Sequence, residues 1–148
     1  MDEIMSLPFD TTTQEYIEVI YDLEQKNRVA RVTDIAERRG VTKASVSLVL
    51  NQLQKKELVD RKQYGHITLT KSGRRLGNKL SQRHKIIKYF LQNVVGVPEH
   101  IADQDACKLE HIISKESCAA MKDIVKIVDD QEFDWNKLFE LQKQSSQS

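Results

Sequence analysis

An apolar run of about eighteen residues, the minimum for a membrane-spanning helix, occurs nowhere in this 148-residue sequence, and the opening MDEIMSLPFD is acidic ahead of any apolar stretch. Neither a membrane segment nor a secretory leader is expected, which predicts a cytoplasmic protein. Cysteine is scarce: Cys107 and Cys118 are the only two. That is too few for a disulfide framework, so each is expected to be a metal ligand or a core filler. No internal repeat is present. Neither an HExxH motif nor a nucleophile elbow appears, and no enzyme is expected.

With 39% hydrophobic and 30% charged residues, the chain can bury one ordinary core and a small second module. A formal net charge of +1 conceals a segregation. Residues 38–88 hold fourteen Lys or Arg against only Glu57 and Asp60, a balance of +12, whereas residues 89–148 hold six against eleven acids, a balance of −5. Phosphate affinity is built from Lys and Arg, so the basic block points to a nucleic-acid-binding part beside a part with another task.

Tyr16, Val19, Ile20 and Leu23 recur at the spacing of one helical face, predicting a helix over 11–27 with Thr12 and Glu15 as a capping box. A short helix is predicted over 32–39, with Thr33 as cap, Ile35 and Ala36 facing inward, and Gly40 as the stop. Thr42 is expected to cap a third helix over 43–56 that buries Val46, Val49, Leu50 and Leu53. These two helices and their tight turn make a helix-turn-helix.

From 58 to 70 the period changes to two. Val59 begins a strand, Gln63-Tyr64-Gly65-His66 turn the chain, and Ile67 and Leu69 alternate with Thr68 and Thr70, giving a hairpin or wing. Thr70-Lys71-Ser72-Gly73 opens a long helix to about residue 94. Its apolar stripe is Leu76, Leu80, Ile87 and Leu91, with His84 on the same stripe. No Pro/Gly-rich linker separates the halves, so this helix should run from one module into the next.

A helix over about 99–113 follows, then another from Ser114 carrying Met121, Ile124, Val125 and Val128, and a tail from Gln131 with Phe133, Trp135, Leu138 and Phe139. The predicted fold is mainly α with a small β-hairpin wing: a winged helix-turn-helix over 1–74 and a helical domain over 75–148.

A recognition helix followed by a basic hairpin, SVSLVLNQLQKKELVDRKQYGHITLT, is built to enter a major groove while the wing rides on phosphates. By position, Thr42, Lys43, Ala44, Ser45, Ser47 and Leu48 are expected near base edges, with Ala44 and Leu48 suited to a thymine methyl. Arg61, Lys62, Lys71 and Arg74 are expected on phosphates. A winged helix that served only protein contacts would fit so basic a block poorly.

Cys107, Glu110 and His111 lie at i, i+3 and i+4, so all three project from one helical face, with Ala106, Leu109 and Ile113 on a separate apolar face. A thiolate, a carboxylate and an imidazole within one turn suit a divalent transition metal. Three donors are not a full shell, and Glu15, Glu18 and His84 are the candidates to complete it. Each has a plainer reading as a cap, a solvated acid, a core histidine or a packing cysteine. Jointly they favour metal. His66, His100 and Cys118 are read as structural or exposed.

The segments TTTQEYIEVIYDLE, VTDIAERRGVTKASVSLVLNQLQKKELV, ITLTKSGRRLG, RHKII and DACKLEHIIS resemble the diphtheria toxin repressor and manganese transport regulator family of metal-activated repressors. The resemblance covers roughly residues 10–130. It implies metal ligands at Glu15, Glu18, His84, Cys107, Glu110 and His111, a palindromic double-stranded DNA operator, and a homodimer formed through the second domain. Repression of metal-uptake genes follows from the same resemblance.

Cys107 looks like the iron branch of that family, and Glu15 with Glu18 like the manganese branch. The signal is therefore expected to be Mn²⁺ or Fe²⁺, with Co²⁺ or Zn²⁺ binding in vitro, and no organic cofactor. His84 matches the iron branch's accessory site, but Lys88 and Asp103 stand where that branch has an acid and a histidine. No counterpart of that branch's SH3-like domain is expected, and the chain resembles the two-domain, manganese-type regulators. The expected mechanism is a metal joining the first helix to the second module and selecting one orientation of the reader. The alternative is a winged-helix regulator gated by an organic ligand, with the metal site structural or absent.

Overall fold

The computed structural model describes residues 7, 9–27 and 29–130; the tail from Gln131, with its aromatic residues, lies outside them. Among these residues the order is α1 (Thr11–Asn27), β1 (Ala30–Arg31), α2 (Val32–Arg39), α3 (Lys43–Lys55), β2 (Val59–Arg61), β3 (His66–Leu69), α4 (Lys71–Tyr89), a π-helical segment (Phe90–Val95), α5 (Glu99–Ile112) and α6 (Lys115–Asp129). No helix among them is long and apolar enough to cross a membrane. The chain forms two compact units, the first ending at Gln82 and the second beginning at Arg83.

The first unit is a winged helix-turn-helix around one core. Tyr16, Ile17, Ile20 and Leu23 of α1, Ile35 of α2, and Val46, Leu50 and Leu53 of α3 are buried against Leu58, Val59, Ile67, Leu69, Leu76 and Leu80. On α1 the buried stripe takes Ile17, fully covered, while Val19 is only partly buried and packs against the cluster. Side chains set the starts of α1, α3 and α6. Asp10 accepts from the Thr13 backbone N–H at 2.8 Å and so caps α1, and that hydrogen bond holds its carboxyl below the usual range. The cap is therefore Asp10, two residues upstream of the expected Thr12, and Glu15 pairs with Arg39.

Thr33 lies inside α2, whose N-cap is Arg31 with no side-chain hydrogen bond, while Gly40 ends that helix in the left-handed conformation at φ 64°. Thr42 caps α3 by accepting from Ser45 N–H at 3.2 Å. The hairpin turns through Tyr64 and Gly65, at φ 64° and 70°, the paired positive φ that matches the twist of a tight hairpin. A third strand, β1, joins the outer side of β3, giving the antiparallel order β1-β3-β2 with Ala30 and Arg61 both opposite Ile67. Two residues are too few to show an alternating pattern in sequence.

In the second unit Arg83, Ile87, Val94, Ala102, Ala106, Glu110 and Cys118 are buried. The buried arginine is explained by its partner: Arg83 Nη2 donates to the carbonyl of Ile113, the C-cap of α5, placing a cation at the negative end of that helix. Ser114 caps α6 by accepting from Ser117 N–H at 3.1 Å.

Gly73 shows how closely α4 enters the first unit. A Cβ there would lie 2.0 Å from the carbonyl oxygen of Leu58, which already accepts from Thr70 N–H at 3.0 Å. Backbone on both sides leaves nothing to move. Gly73→Ala, which helix propensity alone would make stabilising, is expected to lower stability by about 1–3 kcal/mol, read as a reduced urea midpoint. An unchanged or raised midpoint would refute the close approach.

Candidate metal centre and nucleic-acid face

In the second unit, α5 repeats its buried face every fourth residue as Ala102, Ala106 and Glu110. Glu110 thus lies on the apolar face and not opposite it, and its side chain has no exposed surface. Removing a carboxylate from water is costly unless charge and hydrogen bonds replace the solvent. His84 supplies both to one oxygen, and a second imidazole lies near the other. His84 Nδ1, from α4, is 2.8 Å from Glu110 Oε2, and His111 Nε2 is 3.3 Å from Glu110 Oε1 with the His111 side chain 4% exposed. The second nitrogen of His84, Nε2, is 2.9 Å from Asp103 Oδ1.

With carboxylates on both sides, His84 keeps its proton: the hydrogen bond to Glu110, opposed in part by burial and aided by Asp103, raises its pKa from 6.5 to about 9. The metal-free ring is a doubly protonated imidazolium that donates to both acids. An imidazole nitrogen and a carboxylate that meet in a buried place fit a divalent transition metal, which takes up such donors by displacing the proton.

The other predicted ligands are placed differently. Cys107 is exposed, one turn before Glu110 on α5. On α1, Glu18 is half-buried, and Glu15 Oε2 accepts from Arg39 Nη2 at 2.7 Å while the Arg39 guanidinium lies 5.1 Å over the Tyr16 ring. Asp103 as a partner of His84 was not anticipated. Its signal was present, since it precedes Glu110 by two helical turns and so shares that face.

In the first unit Thr42, Lys43, Ala44, Ser45 and Leu48 are exposed on the outer N-terminal face of α3, with Ser47 half-buried. Leu48 is 68% exposed, an unusual position for leucine on a helix whose other face fills the core. Of the predicted phosphate contacts, Lys71 is exposed and Lys62 is tied only loosely, 4.0 Å from Asp60. The other two have structural partners. Arg61 Nη2 donates to the carbonyl of Ser47 at 3.1 Å, fastening the wing to the recognition helix. Arg74 Nη2 lies 3.1 Å from Glu24 Oε2, and Glu24 Oε1 accepts from Leu69 N–H.

Residues 9–67 match the model of the iron dependent repressor N-terminal DNA binding domain, and residues 70–131 match the iron dependent repressor metal binding and dimerisation domain. The chain belongs to the iron-dependent repressor family. It is 33% identical over 132 residues to the HTH-type transcriptional regulator MntR of Bacillus velezensis, covering 89% of this chain and 92% of the relative. Identity to MntR of Geobacillus kaustophilus is 33%, over 90% and 94%.

Among solved structures, a manganese-dependent transcriptional repressor in complex with manganese superposes with a TM-score of 0.70 at 30% identity over 77% of this chain and 52% of that one. The manganese regulator SloR does so at 0.66 and 25%, over 77% and 53%. The chain spans about half the length of those two solved proteins. As a member of the iron-dependent repressor family, it is a transcriptional regulator with a DNA-binding and a metal-binding, dimerising domain. The alternative of gating by an organic ligand is not favoured.

A group whose folded pKa is raised stabilises fully below its unfolded value and loses that contribution as pH rises through the folded value. The metal-free protein is therefore expected to lose the His84 contribution between pH 6.5 and about 9. Urea midpoints of wild type and His84→Gln should converge across that window. A gap that widens with pH would contradict the assigned charge state.

Proposed function

We propose that this protein represses metal-uptake genes in the cytoplasm, binding a palindromic operator as a homodimer when loaded with Mn²⁺ or Fe²⁺. The observation that carries the reading is the wholly buried Glu110 carboxylate between His84 and His111, in the segment that matches a metal binding and dimerisation domain.

His84, Glu110 and His111 are assigned as ligands from the second domain, Cys107 as a thiolate donor beside them, and Glu15 and Glu18 as carboxylate donors from α1. Bound there, a divalent cation supplies positive charge in place of the protons and cationic side chains these donors otherwise hold. Glu15 reaches that role by exchanging its partner Arg39. Arg39 closes α2, the first helix of the helix-turn-helix, so the supply of a ligand is tied to the reader itself.

Thr42, Lys43, Ala44, Ser45, Ser47 and Leu48 then meet base edges, and Arg61, Lys62, Lys71 and Arg74 meet phosphates. In a dimer, the spacing of two recognition helices must match the operator's half-sites. Because the coupling is a shared free energy, operator DNA tightens metal binding by the factor that metal tightens DNA binding.

The deciding experiment is selection from a pool of random duplexes under anaerobic conditions, with Mn²⁺, with Fe²⁺ and with chelator. A palindromic site enriched only in the presence of metal is expected; equal enrichment with chelator would overturn the metal-dependent reading. With the operator known, Lys62→Ala is expected to reduce the slope of log affinity against log salt by about one unit, and an unchanged slope would remove Lys62 from the phosphate contacts.

A further inference from the structure

The acids facing His84 are not equivalent. Glu110 is wholly buried and has His111 on its other oxygen, whereas Asp103 is half exposed, and the oxygen that meets His84 Nε2, Oδ1, also lies 3.3 Å from the ammonium of Lys88. That ammonium lies 3.3 Å from Glu99 Oε1 as well. Lys88 is one turn beyond His84 on α4, and Glu99 one turn before Asp103 on α5. Two helical repeats thus form a chain Glu99, Lys88, Asp103, His84, Glu110 and His111, with a fixed cation at the exposed end and two imidazoles around a carboxylate at the buried end.

A neutral imidazole keeps one proton, and the nitrogen bonded to an acid outside the donor set keeps it best. Asp103 is such an acid, because Lys88 already compensates its charge and its shared oxygen is committed to the ring and the ammonium.

We propose that Asp103, clamped by Lys88 and Glu99, is a positioning residue that takes the Nε2–H of His84 and so fixes Nδ1 as the nitrogen offered to metal. Lys88 keeps Asp103 itself out of the donor set. This rests on the assignment of His84 and Glu110 as metal ligands.

The test uses the full chain loaded with Zn²⁺ as a diamagnetic probe, with long-range ¹⁵N–¹H correlation of the histidine rings, alongside Mn²⁺ titration. In the wild type, His84 is expected as the Nε2–H form with Nδ1 unprotonated. Asp103→Ala should lose that Nε2–H signal and bind Mn²⁺ roughly tenfold more weakly, while Asp103→Asn, which keeps an acceptor oxygen, should recover most of both. Lys88→Ala should weaken Mn²⁺ binding and Lys88→Arg restore it.

A zinc-loaded ring protonated on Nδ1, or an Asp103→Ala chain with wild-type affinity and ring signals, would overturn the proposal and leave the metal assignment standing. A Lys88→Ala chain that binds as wild type would overturn the clamp. A wild-type chain that binds neither ion at this histidine would overturn both readings.

Discussion

Glu110 brings a carboxylate to a place where no part of it meets solvent, and much of the second unit can be understood as the response. Such a group must be protonated, paired or bound to a cation. The His84 imidazole pairs with one of its oxygens and holds its own proton to about pH 9 as a result, while His111 lies 3.3 Å from the other. The arrangement stores charge that a divalent cation can replace. On the proposed assignment, protons and a divalent cation compete for the same buried place.

The helix faces follow from this requirement. α5 devotes its buried side to Ala102, Ala106 and Glu110, two small apolar residues and one acid. Its C-cap carbonyl, that of Ile113, accepts from the buried Arg83. α6 buries only Cys118 completely, leaving Met121, Ile124, Val125 and Val128 half-covered and Ile127 48% exposed. An apolar helix face this open is suited to association, as the dimerisation domain of the iron-dependent repressor family requires.

The reader unit solves a different problem, holding the exposed face of α3 rigid while leaving it bare. The core grips α3 through Val46, Leu50 and Leu53, and Arg61 fastens the wing to the carbonyl of Ser47. The wing and the recognition helix are thus joined by a side chain also proposed to touch phosphate. Arg74 is similar, since its partner Glu24 supports the start of α4 and the end of β3 at once. These basic residues carry structural as well as electrostatic weight, so replacing them tests more than charge.

The helices, the hairpin, the cap at Thr42, the helix start at Ser114 and the exposed reader face were legible in the sequence, because periodicity and capping are local and depend on residues within a turn or two of one another. The basic block was legible because charge adds without regard to geometry. The local pattern misled where two answers were equally near: Asp10 won the cap of α1 over Thr12, and Ile17 won the buried stripe over Val19. Cys107, Glu110 and His111 were grouped by spacing alone, yet tertiary packing buried Glu110 and the His111 side chain and left Cys107 exposed. Only the fold brought His84 between Glu110 and Asp103, joined Arg39 to Glu15, set Arg83 on the end of α5 and placed Lys88 across two acids. These contacts link residues 11 to 30 positions apart, where no helical or strand period operates and the partner is chosen by which elements the core brings together.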